Sequence, residues 1–359
     1  MRRVAVCCVA TRLFHRALLY AALAACVACA GPTTVTSLPL RADGRVLQTL
    51  ESTGSGKIQH VVWVVQENRS FDDMFMGYPG ADTVSSGKDS NGNTIPLKPI
   101  SLKSRYEIDH SAYAMFTACN GVGKLPGTQC HMDGFNLEQK IGGPVNGEYA
   151  YVPYKESKLY WDMAQEWVLA DKMFASQLDE SFVAHQYIIA AQANSSVDVP
   201  LFYWGCGGGK TDDVEILKHN RMYGGVQRAC FDYQTLGDEL DSAGLSWRFY
   251  TSHYRMSFSG LWSGYQAVKH IFRGPDWKSD VIPNQHRFFT DLHAGKLANF
   301  TWITPLCRDS DHSQCGGGQG PSWVTSVVNA IGESKFWNST VIFVPVSYTH
   351  LTLPTILRV

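Results

Sequence analysis

Short apolar runs alternate along the chain with segments of helical periodicity, and together they predict an α/β protein. Runs of strand length occupy His60 to Gln66, Trp247 to Thr251, Phe300 to Thr304 and Thr340 to Val344. Helical patterning covers Leu159 to Val168, Ser181 to Ala193, Tyr233 to Ser242 and Ser322 to Ile331. Val61 to Val65 is wholly apolar, which predicts a strand covered on both faces within a mostly parallel sheet. That run ends abruptly in Glu67, Asn68, Arg69 and Ser70. In open α/β sheets ligands gather at the carboxyl ends of the strands, and hard oxygens such as those of Glu67 and Asn68 suit a divalent metal ion. The plainer alternative is a solvated loop in which Arg69 pairs with Asp72.

Between the periodic elements lie long Gly- and Asn-rich segments, 79 to 150 and 194 to 230. They exceed ordinary connections and are expected to cover a functional site. With 359 residues, 45% hydrophobic and 18% charged, the chain can bury a full core. Its 31 basic and 32 acidic residues leave no basic excess, which argues against nucleic acid as a partner.

The N-terminus reads as an export signal. Arg2, Arg3, Arg12 and Arg16 precede an apolar stretch from Ala17 to Ala28 that is too short to span a bilayer comfortably. Leu23-Ala24-Ala25-Cys26 resembles a lipobox with Cys26 as the lipid-anchored residue, while Ala28-Cys29-Ala30 fits cleavage before Gly31. The protein is therefore expected to be periplasmic, secreted or a membrane-anchored lipoprotein, with residues 1–30 as signal, 31–57 as tether and the domain from residue 58. Of ten cysteines, six follow the signal region, and their order suggests local bridges 119 to 130, 206 to 230 and 307 to 315. No C-x-x-C pair occurs there, which counts against structural zinc. Gly205-Cys206-Gly207-Gly208-Gly209-Lys210-Thr211 imitates a phosphate-binding loop, but Trp204 stands where the first glycine is required.

Several separated blocks carry a more specific signal. ENRSFD (Glu67 to Asp72), MDGFN (Met132 to Asn136), YWDMAQEWVLADKMFASQLDESFVAHQY (Tyr160 to Tyr187), SWRFY (Ser246 to Tyr250) and the pair Asp311-His312 occur in that order. In this the chain resembles the bacterial phosphoesterase family that includes non-haemolytic phospholipases C and related acid phosphatases, over residues 58 to 344. The resemblance implies an alkaline-phosphatase-like sandwich and a phosphate-ester substrate, either a phospholipid head-group diester or a monoester.

It also implies roles for particular residues. Ser181, at a helix start, matches the family nucleophile and would share a divalent metal ion with Glu67 and Asn68; on residue type alone it is a helix cap. A helix N-terminus also offers free N–H groups to an anion. His185 lies at i+4 from Ser181 and would share its helix face. His110 and His312 match positions that line the family's active site, and phosphoryl transfer needs such donors around the transferring oxygens. The chain has Val183-Ala184 where the phospholipases have Pro-Asn, which bears on substrate preference. A sulfatase-type hydrolase of the same fold would carry a C/S-x-P-x-R motif, which Ser181 and the residues after it do not match.

After Val344 the resemblance implies an acidic, glycine-rich segment with further metal-ligating carboxylates. Here the chain reads PVSYTHLTLPTILRV, and nothing acidic follows Glu333. Residues 345–359 resemble a translated adapter rather than native sequence. The expectation is a domain incomplete at its C-terminus, inactive for want of charged ligands, and as literally given a non-catalytic binder of phosphate esters.

Overall fold

The computed structural model describes residues 56–253, 255 and 260–347. The expected signal peptide, Cys26, nearly all of the tether and the tail from residue 348 lie outside them. The central sheet contains β1 (His60–Val64), β2 (Trp247–Tyr250), β3 (Val281–Ile282), β4 (Phe300–Ile303) and β5 (Thr340–Phe343). Its order is β3-β2-β4-β1-β5, and every pairing is parallel. All four expected strands are in this sheet; β3 was missed, being only two residues long. The principal helices are α1 (Phe71–Phe75), α2 (Ala112–Cys119), α3 (Tyr154–Glu166), α4 (Ser181–Ala190), α5 (Leu236–Ser242), α6 (Arg287–His293) and α7 (Gly320–Gly332). Among the described residues, no helix is long and apolar enough to cross a membrane.

The pleat sends alternate side chains to two cores. Val62, Val64, Tyr250 and Ile303 pack with Tyr160 and Met163 of α3, Phe288 and Leu292 of α6, and Val324, Val327, Val328 and Ile331 of α7. Trp247, Phe249 and Trp302 face the other way, onto Ile189 of α4, Leu240 of α5, Tyr265 and Ile271. The expectation that β1 is covered on both faces needs correction: Val62 and Val64 are fully buried, but Val61 and Trp63 are only half-buried. Helices close one face of β1 completely, whereas the aromatic core on the other face is centred on β2 and β4. Pairing continues past β5, since Gln66 bridges Val346 in parallel register and Ser347 N donates to Gln66 O at 3.0 Å.

Helix boundaries follow their caps. The expected helix from Tyr233 starts at Leu236 because Thr235 and Asp238 form a reciprocal capping box. α4 has no polar side: Ser181 to Gln186 are all buried, with Phe182 and Val183 in a third cluster beside Phe231, Leu261 and Trp262. A helix buried all round is held from every direction. The three expected disulfides are present: Cys119 with Cys130, Cys206 with Cys230, and Cys307 with Cys315. The phosphate-loop imitation is a 3-10 turn, Gly205–Gly208, anchored by Cys206. Gly205 has φ +54, and a Cβ there would stand 2.9 Å from Gln266 O, so this glycine serves a close backbone approach.

Candidate active site

β1 delivers Gln66, Glu67, Asn68 and Arg69 to the carboxyl end of the sheet. Gln66 Oε1 accepts from Asp311 N at 3.2 Å and so ties the Asp311-His312 loop to the strand. The Cys307–Cys315 disulfide closes the same loop. Glu67 is completely buried. Its Oε2 accepts from Ser181 Oγ at 2.9 Å, and its Oε1 lies 2.6 Å from His185 Nε2. Ser181 and His185 therefore share a helix face as expected, but the partner they share is Glu67. His185 is 1% exposed and does not line the cleft; it positions the carboxylate. Arg69 donates through Nη1 to Tyr106 Oη at 3.0 Å, placing its guanidinium inside the fold rather than in a solvated loop with Asp72.

Ser181 is the first residue of α4, and Glu180 occupies the N-cap without a side-chain capping bond. The first bond within the helix is Ala184 N to Glu180 O, 3.1 Å. The amides of Ser181, Phe182 and Val183 precede it, where a helix carries its positive dipole end.

The serine opens into a cleft of about 260 Å³ lined on one side by Glu107, Asp109, His110, Gln139, Ile141, Glu180, His312 and Gln314. Val199, Tyr203, Leu261 and Trp262 form an apolar wall. Both long segments expected to cover a site do so, 79–150 through Glu107 to Ile141 and 194–230 through Val199 and Tyr203. The model of the Phosphoesterase family matches residues 58–347.

The chain belongs to the Phosphoesterase family.

Two curated relatives are both named Phospholipase C A, from Mycobacterium tuberculosis strains CDC 1551 / Oshkosh and ATCC 25618 / H37Rv. Each is 21% identical over 333 residues, covering 83% of this chain and 60% of the relative. The chain thus spans less than two thirds of the length of the curated relatives it matches.

The pKa values of two histidines in the cleft move in opposite directions. Burial opposes protonation of His110, yet the carboxylates of Glu180 and Glu107 and the Ile108 carbonyl outweigh it and raise its pKa. His110 Nδ1 lies 2.7 Å from Ile108 O, while Nε2 is 3.6 Å from Glu180 Oε2. Burial, then the charges of His110 and Arg69, push His312 down to about 3. Glu180 itself is pushed up to about 7, chiefly by burial.

As a metal shell, Glu67, Asn68 and Ser181 supply hard oxygens but one negative charge, and both Glu67 oxygens already hold hydrogen bonds. Alone they fall short of the ligand set a divalent cation demands. Among the described residues, the groups able to share an ion are Glu107 with His110 and His312, and Asp179 with Glu180 and Asp198. Sequence reasoning missed Glu107 and Glu180 as site residues. Glu180 was visible beside Ser181, but Glu107 arrives only through the pairing of Tyr106–Ile108 with Lys140–Gly142.

Buried carboxyls also set the pH response of the fold. Glu138 has both carboxyl oxygens buried without a hydrogen bond, and burial, then Asp109 and Glu148, push it up to about 9. Asp311, which accepts from Tyr160 Oη at 2.7 Å, rises to about 7 through burial. An unfolded Glu138 gives up its proton near 4.5 and the folded one near 9, so stability falls as pH rises between these values. On the acid side His312 acts oppositely, because the unfolded ring protonates near 6.5 and the folded ring does not. Glu138, Asp311 and Glu180 together outweigh His312 above about pH 4.5, so the thermal midpoint is expected to decline from about pH 5 toward about pH 9, with Glu138→Gln flattening the decline. A midpoint that climbs from pH 6 to 9 would contradict this.

Proposed function

We propose that this phosphoesterase is an exported hydrolase that acts through Ser181 as nucleophile. The observation that carries the proposal is the 2.9 Å bond from Ser181 Oγ to the buried carboxylate of Glu67, formed where α4 opens into the cleft. Ser181 Oγ attacks phosphorus as its proton passes to Glu67 Oε2, and His185 holds the other carboxylate oxygen in place. The first-turn amides of α4 and the imidazole of His312 receive the phosphoryl oxygens. The ester P–O bond breaks as His110 Nε2 gives a proton to the departing alkoxide; water then attacks the phosphoseryl group, its proton restores His110, and Glu67 hands its proton back to Ser181 Oγ as the phosphate product leaves.

The parallel sheet with this helix at its carboxyl edge supports the alkaline-phosphatase-like version of the fold. Three disulfides support an exported setting. The wall of Leu261, Trp262 and Tyr203 suits an ester whose alcohol has apolar bulk, in keeping with the phospholipase name of the relatives. To test the reaction, the protein is incubated with p-nitrophenyl phosphate or p-nitrophenyl phosphocholine, quenched in acid and digested. A phosphoryl or phosphocholine group on the peptide containing Ser181 is the expected result. Turnover with no such adduct, and with solvent attacking phosphorus directly by stereochemical analysis, would remove the serine from the mechanism.

A further inference from the structure

The cleft wall poses an electrostatic problem. Glu107, Asp109 and Glu180 line a space assigned to phosphate esters, and negative walls repel a negative substrate. Glu107 Oε2 is moreover buried without a hydrogen bond among the described residues. Oε1 of the same carboxyl lies 3.3 Å from His110 Nδ1, which leaves the lone pairs of Oε2 available to a cation.

We propose that Glu107, His110 and His312 form a binding site for a divalent transition-metal ion of zinc type, separate from the Glu67, Asn68 and Ser181 set. One ligand atom from each of the three lies within 4.8 Å of the others. Nitrogen and oxygen ligands about 2.0–2.1 Å from a tetrahedral ion stand about 3.4 Å apart, so separations within 4.8 Å close by up to about 1.4 Å when the ion binds.

The surrounding contacts decide which ring nitrogens can face an ion. His110 Nδ1 is 2.7 Å from Ile108 O; a carbonyl bound there fixes the tautomer and leaves Nε2 with the lone pair a metal needs. His312 Nδ1 receives Gln314 N at 3.3 Å, a long contact that is surrendered when Nε2 takes the ion in place of its proton. Glu180 Oε2, 3.6 Å from His110 Nε2, adds outer negative charge. Two imidazoles and one carboxylate match borderline cations better than magnesium or calcium, and they leave a position open to the cleft. An ion there would meet the phosphoryl oxygens in place of the imidazoles, and it would take His110 Nε2 out of the proton-donor role, leaving that role to Glu180 on the same wall. Binding itself does not depend on Ser181 being the nucleophile.

The 359-residue chain, stripped with a chelator and dialysed against limiting Zn²⁺, is expected to retain one ion per chain. X-ray absorption should show imidazole scattering, and Co²⁺ in its place should give the visible bands of a four- or five-coordinate nitrogen-containing site. Glu107→Gln and His312→Gln, each with metal-free thermal unfolding like wild type, should lower occupancy about tenfold or more. Glu67→Gln should retain the ion. The proposal is overturned if wild type holds no zinc, or if its spectrum shows oxygen ligands alone, as an ion on Asp179, Glu180 and Asp198 would; neither measurement depends on a variant folding. Undiminished occupancy in both Glu107→Gln and His312→Gln, or loss of the ion in Glu67→Gln, overturns it as well.

Discussion

Ser181→Ala is expected to lower turnover of p-nitrophenyl phosphate or p-nitrophenyl phosphocholine by about three to six orders of magnitude, the range seen when a nucleophile that acts as part of a unit is removed. Because the hydroxyl is used in the transition state, kcat and kcat/KM should fall together. The fold should persist at a cost of about 1–3 kcal/mol, since the buried Glu67 Oε2 loses its partner. Ser181 is 3% exposed and its Oγ bonds only to Glu67 Oε2 among the described contacts, so the change deletes one hydroxyl and leaves α4 packed on all sides. Rates within tenfold of wild type, in steady-state assays of purified protein, would show that Ser181 is a helix-start residue and nothing more.

Glu67→Gln should cost about 10²–10⁴-fold in rate, the usual worth of a positioned general base. The amide keeps the shape of the carboxylate but cannot take the serine proton. Glu67→Ala separates this chemical effect from architecture. It would leave Ser181 Oγ and His185 Nε2 buried without their shared partner, at about 1–3 kcal/mol for each unsatisfied group. Urea unfolding should therefore rank Glu67→Ala well below Glu67→Gln, while both lack activity. Equal stability of the two variants, or near-normal turnover by Glu67→Gln, would mean that the buried carboxylate neither accepts a proton nor organises the two helical side chains.

Much of this arrangement was legible before any coordinates, for reasons that differ from residue to residue. β1, β2, β4 and β5 could be read because buried parallel strands are continuous apolar runs, and α4 because its start coincides with a motif. Glu67 came from ENRSFD at the end of β1, Ser181 from the motif at the start of α4, and His185 from the i, i+4 spacing. What could not be read was their mutual contact: spacing puts Ser181 and His185 on one face but does not say which strand end that face meets. Glu107 was invisible for a related reason. It has no local signature and reaches the cleft through pairing of two short strands in a long glycine-rich segment. The partial exposure of Val61 and Trp63 was likewise hidden, since an unbroken apolar run does not tell how far helices extend across each face of a sheet.

The order of the central sheet carries a consequence for how the protein is made. β1 is the first of its strands to leave the ribosome, yet both its neighbours come from the far end of the chain, β4 through Val61 opposite Phe300 and β5 through His60 opposite Thr340. During synthesis, which runs from the N-terminus, Val62 and Val64 have no adjoining strand until Phe300–Ile303 and then Thr340–Phe343 have emerged. Pairings of such long sequence separation close slowly. The segment that bears Glu67 is thus among the first parts synthesised and the last secured, and for that interval its apolar backbone depends on chaperone shelter or on transient local collapse. Single changes that make residues 60–65 stickier would be felt in the yield of folded protein well before they were felt in its activity.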